Sequence, residues 1–108
     1  TTMTSGNNII TPLASPSGSQ PGVSQFGINL TANGNPPIGS GPAGIGSGAP
    51  TSNFSNPNQF YFNNEVIASS PVPSDFTAFT VSYLVNVGDD QPAGIYSTTL
   101  TYVAMVSF

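Results

Sequence analysis

Residues 79–108 read FTVSYLVNVGDDQPAGIYSTTLTYVAMVSF, and the periodicity of this stretch decides the fold class. In its first half Phe79, Val81, Tyr83, Val85 and Val87 recur at every second position, with Thr80, Ser82 and Asn86 between them. Period two is the spacing of a half-buried strand, because successive side chains point to opposite faces. Residues 88–94, GDDQPAG, have the chemistry of a turn. Beyond it Tyr96, Leu100, Tyr102, Ala104, Val106 and Phe108 share a face opposite Ser97, Thr99, Thr101 and Ser107. Two one-faced segments with a short turn between them are predicted to pair as a long antiparallel hairpin, placing Tyr83 and Tyr102 on the apolar faces of adjacent strands.

Working outward, Phe26, Ile28 and Leu30 alternate with Gly27, Asn29 and Thr31, and Phe60-Tyr61-Phe62 and Val66-Ile67 read as further short strands. No stretch has a helical period, and Thr, Val, Tyr and Phe are strand-favouring residues. The expected fold is all-β: a single domain over residues 1–108, an antiparallel β-sandwich of immunoglobulin-like type. About five strands can be counted where such a sandwich has roughly seven, so the sandwich is expected to be incomplete. Residues 32–58, ANGNPPIGSGPAGIGSGAPTSNFSNPN, carry Gly or Pro every few positions and show neither period. They read as a flexible linker or long surface loop. The other reading is an ordered lid or inter-subunit contact, stiffened by Pro36, Pro37 and Pro42 and anchored by Ile38, Ile45 and Phe54.

Composition removes most chemistry. Across 108 residues there is no Lys, Arg, His or Cys, and the only charged side chains are Glu65, Asp75, Asp89 and Asp90, a net charge of −4. A chain without cationic side chains cannot neutralise phosphates, which disfavours nucleic acids and anionic membrane surfaces. The usual general base, thiolate nucleophile and Schiff-base amine are absent residue types, and zinc and copper centres want His or Cys. No enzyme activity and no cofactor are therefore expected. No apolar run approaches the roughly 20 residues of a membrane span. The opening Thr1-Thr2-Met3 lacks the basic n-region of a signal peptide and reads as the start of a processed or trimmed product.

The remaining candidate groups are few. Asp89-Asp90 offers oxygen ligands to calcium, although a calcium loop wants more ligands in a fixed frame, and a solvated turn explains the pair as well. Glu65 and Asp75 would need to converge to act as a carboxylate pair. Asn29-Leu30-Thr31 and Asn53-Phe54-Ser55 match the N-glycosylation pattern, making Asn29 and Asn53 candidate acceptors. Tyr61 with Asn63 and Asn64 would suit a sugar-binding platform, or Tyr61 simply packs at a strand end. Thr99 and Thr101 form a short Thr-x-Thr row that is ordinary strand composition.

In residues 79–108 the motif Pro92-Ala93-Gly94, Tyr96 and Thr99-Leu100-Thr101-Tyr102 resembles the C-terminal hairpin of secreted surface β-sandwich proteins from ultrasmall candidate-phyla bacteria. Phe26-Gly27-Ile28-Asn29-Leu30, the Gly/Pro-rich insert, Asn58-Gln59-Phe60 and Val66-Ile67-Ala68-Ser69-Ser70 are similar to the same pattern. The ending also resembles the last strand of spore-coat-U-like pilins. Both resemblances imply an extracellular structural role with no catalytic residues to carry over; the first also implies further strands upstream.

An incomplete sheet has open edges, and this chain has no lysine with which to guard them. Strand addition from a neighbour requires such an edge. The apolar patch at Asn7, Asn8, Ile9, Ile10 and Leu13 is the candidate intersubunit strand, inserting into a neighbouring copy or sealing its own sheet edge. The expected function is that of a secreted structural subunit assembling with copies of itself into an extracellular filament or cell-surface layer. The alternative is a cell-surface adhesin or glycan-binding module that uses the Gly/Pro segment as its recognition loop. Because no side-chain type present has an unperturbed pKa between about 5 and 9, melting temperature is expected to change little across that window. Thermal unfolding followed by circular dichroism at several pH values checks this.

Overall fold

The computed structural model describes residues 1–106, and nearly all of its regular structure is strand. In chain order the elements are β1 (Met3–Ser5), β2 (Asn8–Ile10), β3 (Gln25–Asn29), β4 (Ala43–Gly44), β5 (Ala49–Pro50), a 3₁₀ turn at Ser52–Phe54, β6 (Ala68–Ser69), β7 (Thr77–Ala78) and β8 (Ser82–Asn86). They pair as four antiparallel ladders, β1–β2, β3–β8, β4–β7 and β5–β6. The described residues contain no α-helix, as the all-β reading expects.

The core is built on β3, all five of whose residues are buried. Its alternation sends Phe26 and Ile28, continued by Leu30, to one face. There Ile28 and Leu30 cluster with Phe54 and Tyr61, and Phe62, Ile67, Phe79, Val81 and Leu100 pack around them. The rings of Phe54 and Tyr61 sit 5.4 Å apart at a tilt, as do Phe26 and Phe62 at 5.6 Å. On the other face Gly27 and Asn29 lie under the chain at Gln59–Tyr61, while Gln25 bonds to Gly18, Gln20 and Asn86. A Cβ built on Gly27 would stand 2.9 Å from the Tyr61 nitrogen and 3.0 Å from the Phe60 Cβ, so only glycine lets this chain cross so close. Phe60 is thereby fully buried.

The long hairpin expected from residues 79–108 does not form. β8 takes β3 as its partner instead, in the register Gln25↔Asn86, Gly27↔Leu84 and Asn29↔Ser82. The turn at 88–91 is where the sequence puts it, closed by the Gln91 N–H donating to the Gly88 carbonyl at 3.0 Å. The chain beyond it does not return along β8, for a local reason. The Tyr96 hydroxyl donates to the Pro92 carbonyl at 2.7 Å, while the Gln91 side chain donates to the Ile9 carbonyl at 3.2 Å and to the Tyr96 hydroxyl at 3.0 Å. These bonds bend residues 91–96 toward the N-terminal hairpin, where Ser97 and Thr4 exchange backbone bonds of 2.9 and 3.0 Å. Residues 98–106 carry no strand. The expected positions Ser107 and Phe108 lie outside the described residues.

Residues 32–58 are not a free linker. β4 and β5 lie within them, and Gly44, Gly46 and Gly48 form a period-two row laid flush on residues 75–79. Cβ atoms at Gly46 and Gly48 would meet Thr77 Oγ1 at 2.5 and 2.9 Å, and one at Gly44 would meet the Phe76 ring at 2.7 Å. Glycine in this segment therefore marks close chain approach. Of the three expected anchors Phe54 is fully buried, Ile38 is exposed at 36%, and Ile45 is left at 78%.

Gly27→Ala is expected to destabilise the fold by about 1–3 kcal/mol, because the added methyl must push the Phe60–Tyr61 chain off β3. Urea unfolding of the two proteins, compared at equal m-value, measures it.

Candidate functional site

The two edges of the β3–β8 sheet differ. On the β3 side the edge is occupied by other parts of the chain: the Leu13 N–H donates to the Phe26 carbonyl at 2.8 Å, Ile28 and Tyr61 exchange two bonds of 3.0 Å, and just beyond β3 the Leu30 N–H donates to the Phe54 carbonyl at 2.9 Å. This fixes the geometry of β8 by alternation. Since Phe26 and Ile28 point their backbone groups away from β8, the residues opposite them, Val85 and Tyr83, point theirs away from β3. They face an outer edge on which, among the described residues, no backbone hydrogen bond is made. No lysine, proline or charged side chain lies within Ser82–Asn86 to blunt it.

The apolar side of that edge is half open. Tyr83 and Val85 lie opposite Ile28 and Phe26, but the buried side chains of β8 are Ser82 and Leu84, so the row Tyr83, Val85 and Val87 that the period marks as the apolar face is left 49%, 43% and 53% exposed, contrary to expectation. Beside them runs an open cleft of about 460 Å³, lined by Met3, Phe26, Tyr83, Val85, Tyr96 and Leu100 among others. Side chains of the C-terminal segment cross this face without adding a strand to it. Leu100 packs on the core cluster, and the Tyr102 and Tyr83 hydroxyls are hydrogen-bonded to each other. Partial burial raises the Tyr102 phenol well above the usual tyrosine range, and its bond to Tyr83 adds to the effect. Val103, Met105 and Val106 are each at least 76% exposed, and no backbone bond is made by residues 98–106 among the described residues.

The other candidate residues fall elsewhere. Asn7 and Asn8 belong to the β1–β2 hairpin, which turns at Gly6-Asn7 with Gly6 at φ +59°, the glycine-first arrangement of a two-residue hairpin loop. Ile10 is fully buried, Ile9 is half exposed, and Leu13 bonds to β3 as described. Of the candidate intersubunit strand, Asn8–Ile10 pair with β1 and Leu13 alone bonds to β3, by a single backbone hydrogen bond. Asn29 is completely buried, its amide donating to Asn33 Oδ1 at 2.6 Å and to the Gln59 carbonyl at 3.1 Å, so the folded chain has no room for a sugar there. Asn53 is half-buried, and its amide donates to Glu65 Oε1 at 2.9 Å.

Glu65 accepts that bond and one from the Tyr61 hydroxyl at 3.1 Å, whereas Asp75 accepts from the Phe76 N–H at 2.9 Å. The two carboxylates are bonded to different partners. Tyr61 is buried against Phe54, so it packs as a strand-end aromatic and leaves Asn63 and Asn64 exposed without a platform. Asp89 and Asp90 are exposed at the 88–91 turn. Among the described residues no group of three or more acidic, His or Cys side chains converges to hold a metal ion.

Sequence reasoning missed a cluster of amides. Asn33 accepts from the Asn29 side chain and from the Asn58 N–H at 2.8 Å, and donates back to Asn29 Oδ1 at 3.0 Å. Asn58 Oδ1 in turn accepts from the Gly34 and Asn35 N–H groups, each at 2.8 Å. Asn58 has φ +64°, a conformation asparagine tolerates better than most residues. The Asn33-Gly34 dipeptide is the signal that could have marked an ordered turn here.

Comparison with known protein families, with curated proteins and with solved structures finds no match to this chain.

Stability is expected to fall as pH rises past about 10, where tyrosine in the unfolded chain ionises while Tyr102 in the folded chain is held neutral. The sign follows from the raised folded pKa: the contribution is complete below the unfolded value and is lost above it. Melting curves of wild type and Tyr102→Phe between about pH 9 and 11 should diverge, with the variant losing less stability.

Proposed function

We propose that the protein is a secreted structural subunit that assembles with copies of itself into an extracellular filament or cell-surface layer. The joint is strand addition: the C-terminal segment of one copy, starting near Thr98, pairs along the outer edge of β8 in the next. On this reading the fold is an incomplete immunoglobulin-like sandwich, and the incoming strand covers the face its own chain leaves half open.

The observation that carries the proposal is the unguarded outer edge of β8, with an apolar face beside it and an unpaired strand-forming segment in the same chain. Residues 98–106 span about 30 Å when extended, enough to run the whole of a five-residue strand of about 17 Å. Side chains alone hold this segment to its own sheet, so releasing it breaks few contacts. Surface area points the same way. The chain exposes 6674 Å², whereas a compact monomer of its 11.0 kDa exposes about 5,600 Å². The surplus of roughly 1,000 Å² is comparable to the 800 Å² or so that each partner contributes to a standard interface. At four negative charges per copy, repulsion between packed subunits is weak. The absence of Lys and Arg leaves no trypsin site, which suits a protein exposed outside the cell.

Val85→Pro tests the joint selectively. The Val85 N–H faces the outer edge, so proline removes a donor for the incoming strand while every bond to β3 is kept. The variant is expected to remain folded by circular dichroism and to sediment as monomer at concentrations where wild type forms fibres or sheets. Wild-type protein that stays monodisperse, or Val85→Pro protein that polymerises equally well, overturns the proposal; glycan binding by a stable monomer would favour the binding-module alternative.

A further inference from the structure

Four tyrosines occur in the chain, and three different environments hold them. Tyr61 is 7% exposed, with its hydroxyl bonded to Glu65. Tyr96 turns its hydroxyl inward to the Pro92 carbonyl and the Gln91 amide. Tyr83 and Tyr102 alone meet each other, hydroxyl to hydroxyl, with about half of each side chain open to solvent. Each ring carbon ortho to a hydroxyl lies two bonds from its oxygen, so the contact of the two oxygens keeps the two phenols within reach of each other.

The rest of the composition makes this pair reactive. Phenols lose one electron and one proton together to give a phenoxyl radical, which a cysteine thiol nearby would normally reduce. This chain has no cysteine. Its two methionines, Met3 and Met105, react chiefly by accepting an oxygen atom. A radical formed on Tyr83 or Tyr102 therefore has its twin as the nearest partner.

We infer that Tyr83 and Tyr102 are an oxidative cross-linking site, joined within one chain as dityrosine by a peroxidase-type one-electron oxidant and hydrogen peroxide. Each phenol gives up one hydrogen atom. The two radicals couple through ring carbons ortho to the hydroxyls, and the coupled ring system loses its two ortho protons to the phenolate oxygens as aromaticity returns. One new C–C bond forms, two C–H bonds break, and one peroxide is reduced to two waters. The product closes a loop between residues 19 positions apart and fastens the C-terminal segment to the sheet. The pair is complete in a free single copy, and a link made there competes with the strand addition proposed above, because it holds the segment from Thr98 on its own chain.

The experiment treats dilute monomer with a peroxidase and hydrogen peroxide, follows dityrosine fluorescence, and maps the product by mass spectrometry after digestion with pepsin. The expected product is monomer-sized, lighter by two hydrogens, with the Tyr83 peptide joined to the Tyr102 peptide. Tyr83→Phe and Tyr102→Phe, which keep both rings for packing, are each expected to lower the yield about tenfold or more, since the advantage of a preformed contact is gone. Tyr96→Phe should leave it unchanged, and wild type unfolded in urea should lose the preference for this pair. A yield in Tyr83→Phe equal to wild type, linkage mainly through Tyr61 or Tyr96, or covalent dimers in place of the monomeric product would each overturn the assignment.

Discussion

The pairing of β3 on both of its edges organises the core. A buried strand must hand its N–H and C=O groups to partners, since an unpaired group away from water costs about 1–3 kcal/mol. β3 pairs with β8 on one side and, together with Leu30 just beyond it, makes backbone bonds to three separate segments on the other, at Leu13, Tyr61 and Phe54. Those three contacts pull the N-terminal hairpin, the 3₁₀ turn and the Phe60 region onto a single strand. Gly27 sets how close they come, and the burial of Phe54, Phe60 and Tyr61 follows. The consequence is an asymmetric sheet. The edge next to β3 is used up, and the edge beyond β8 is not.

That asymmetry explains which parts of the fold were legible in the sequence. The alternation of Phe26, Ile28 and Leu30, and of Phe79 through Val87, marks two strands, but in the second it assigns the wrong face to the core: Ser82 and Leu84 are buried while Tyr83, Val85 and Val87 stay about half exposed. Pairing is a different matter. Residues 79–87 and 96–108 have matching patterns and a turn between them, and their apolar patterns do not distinguish that partnership from one with residues 25–29. The choice lies in polar side chains: Gln91 and Tyr96 bend the chain just after the turn, Gln91 also reaches the Ile9 carbonyl at 3.2 Å, and the Asn86 amide reaches Ser19 and Gln25 at 2.9 and 2.8 Å. Likewise the open edge of β8 follows from a pairing choice, and no property of Ser82–Asn86 taken alone announces it.

The Gly/Pro-rich region shows the opposite failure, where composition looked like disorder and concealed a pattern. Gly44, Gly46 and Gly48 alternate as strand residues do, but what alternates is the absence of a side chain. Period-two reading by hydrophobicity cannot see a face whose function is to let another chain lie flat on it. Asn33 and Asn58 were hidden for a related reason. Asparagine in a glycine-rich stretch is ordinary turn composition, and only the crossing of residues 33–35 with Asn58 turns it into a bonded cluster.

Amides also supply what this chain lacks in charge. In most domains of this size some polar interior positions are settled by ion pairs; here the absence of Lys, Arg and His leaves no cationic side chain to form them. A carboxylate only accepts and an ammonium only donates, whereas a carboxamide does both from one planar group. Gln25 uses this directly: its Oε1 accepts from the Gln20 N–H and the Asn86 amide, each at 2.8 Å, while its Nε2 donates to the Gly18 carbonyl at 3.2 Å. Asn29 and Asn33 do the same reciprocally. Neutral donors and acceptors carry little desolvation cost compared with a buried ion, so the interior can be polar without paired charges. A network of this kind is also insensitive to salt screening, because no net charge is involved. The molecule therefore holds its irregular segments in place by means that leave its surface almost uncharged.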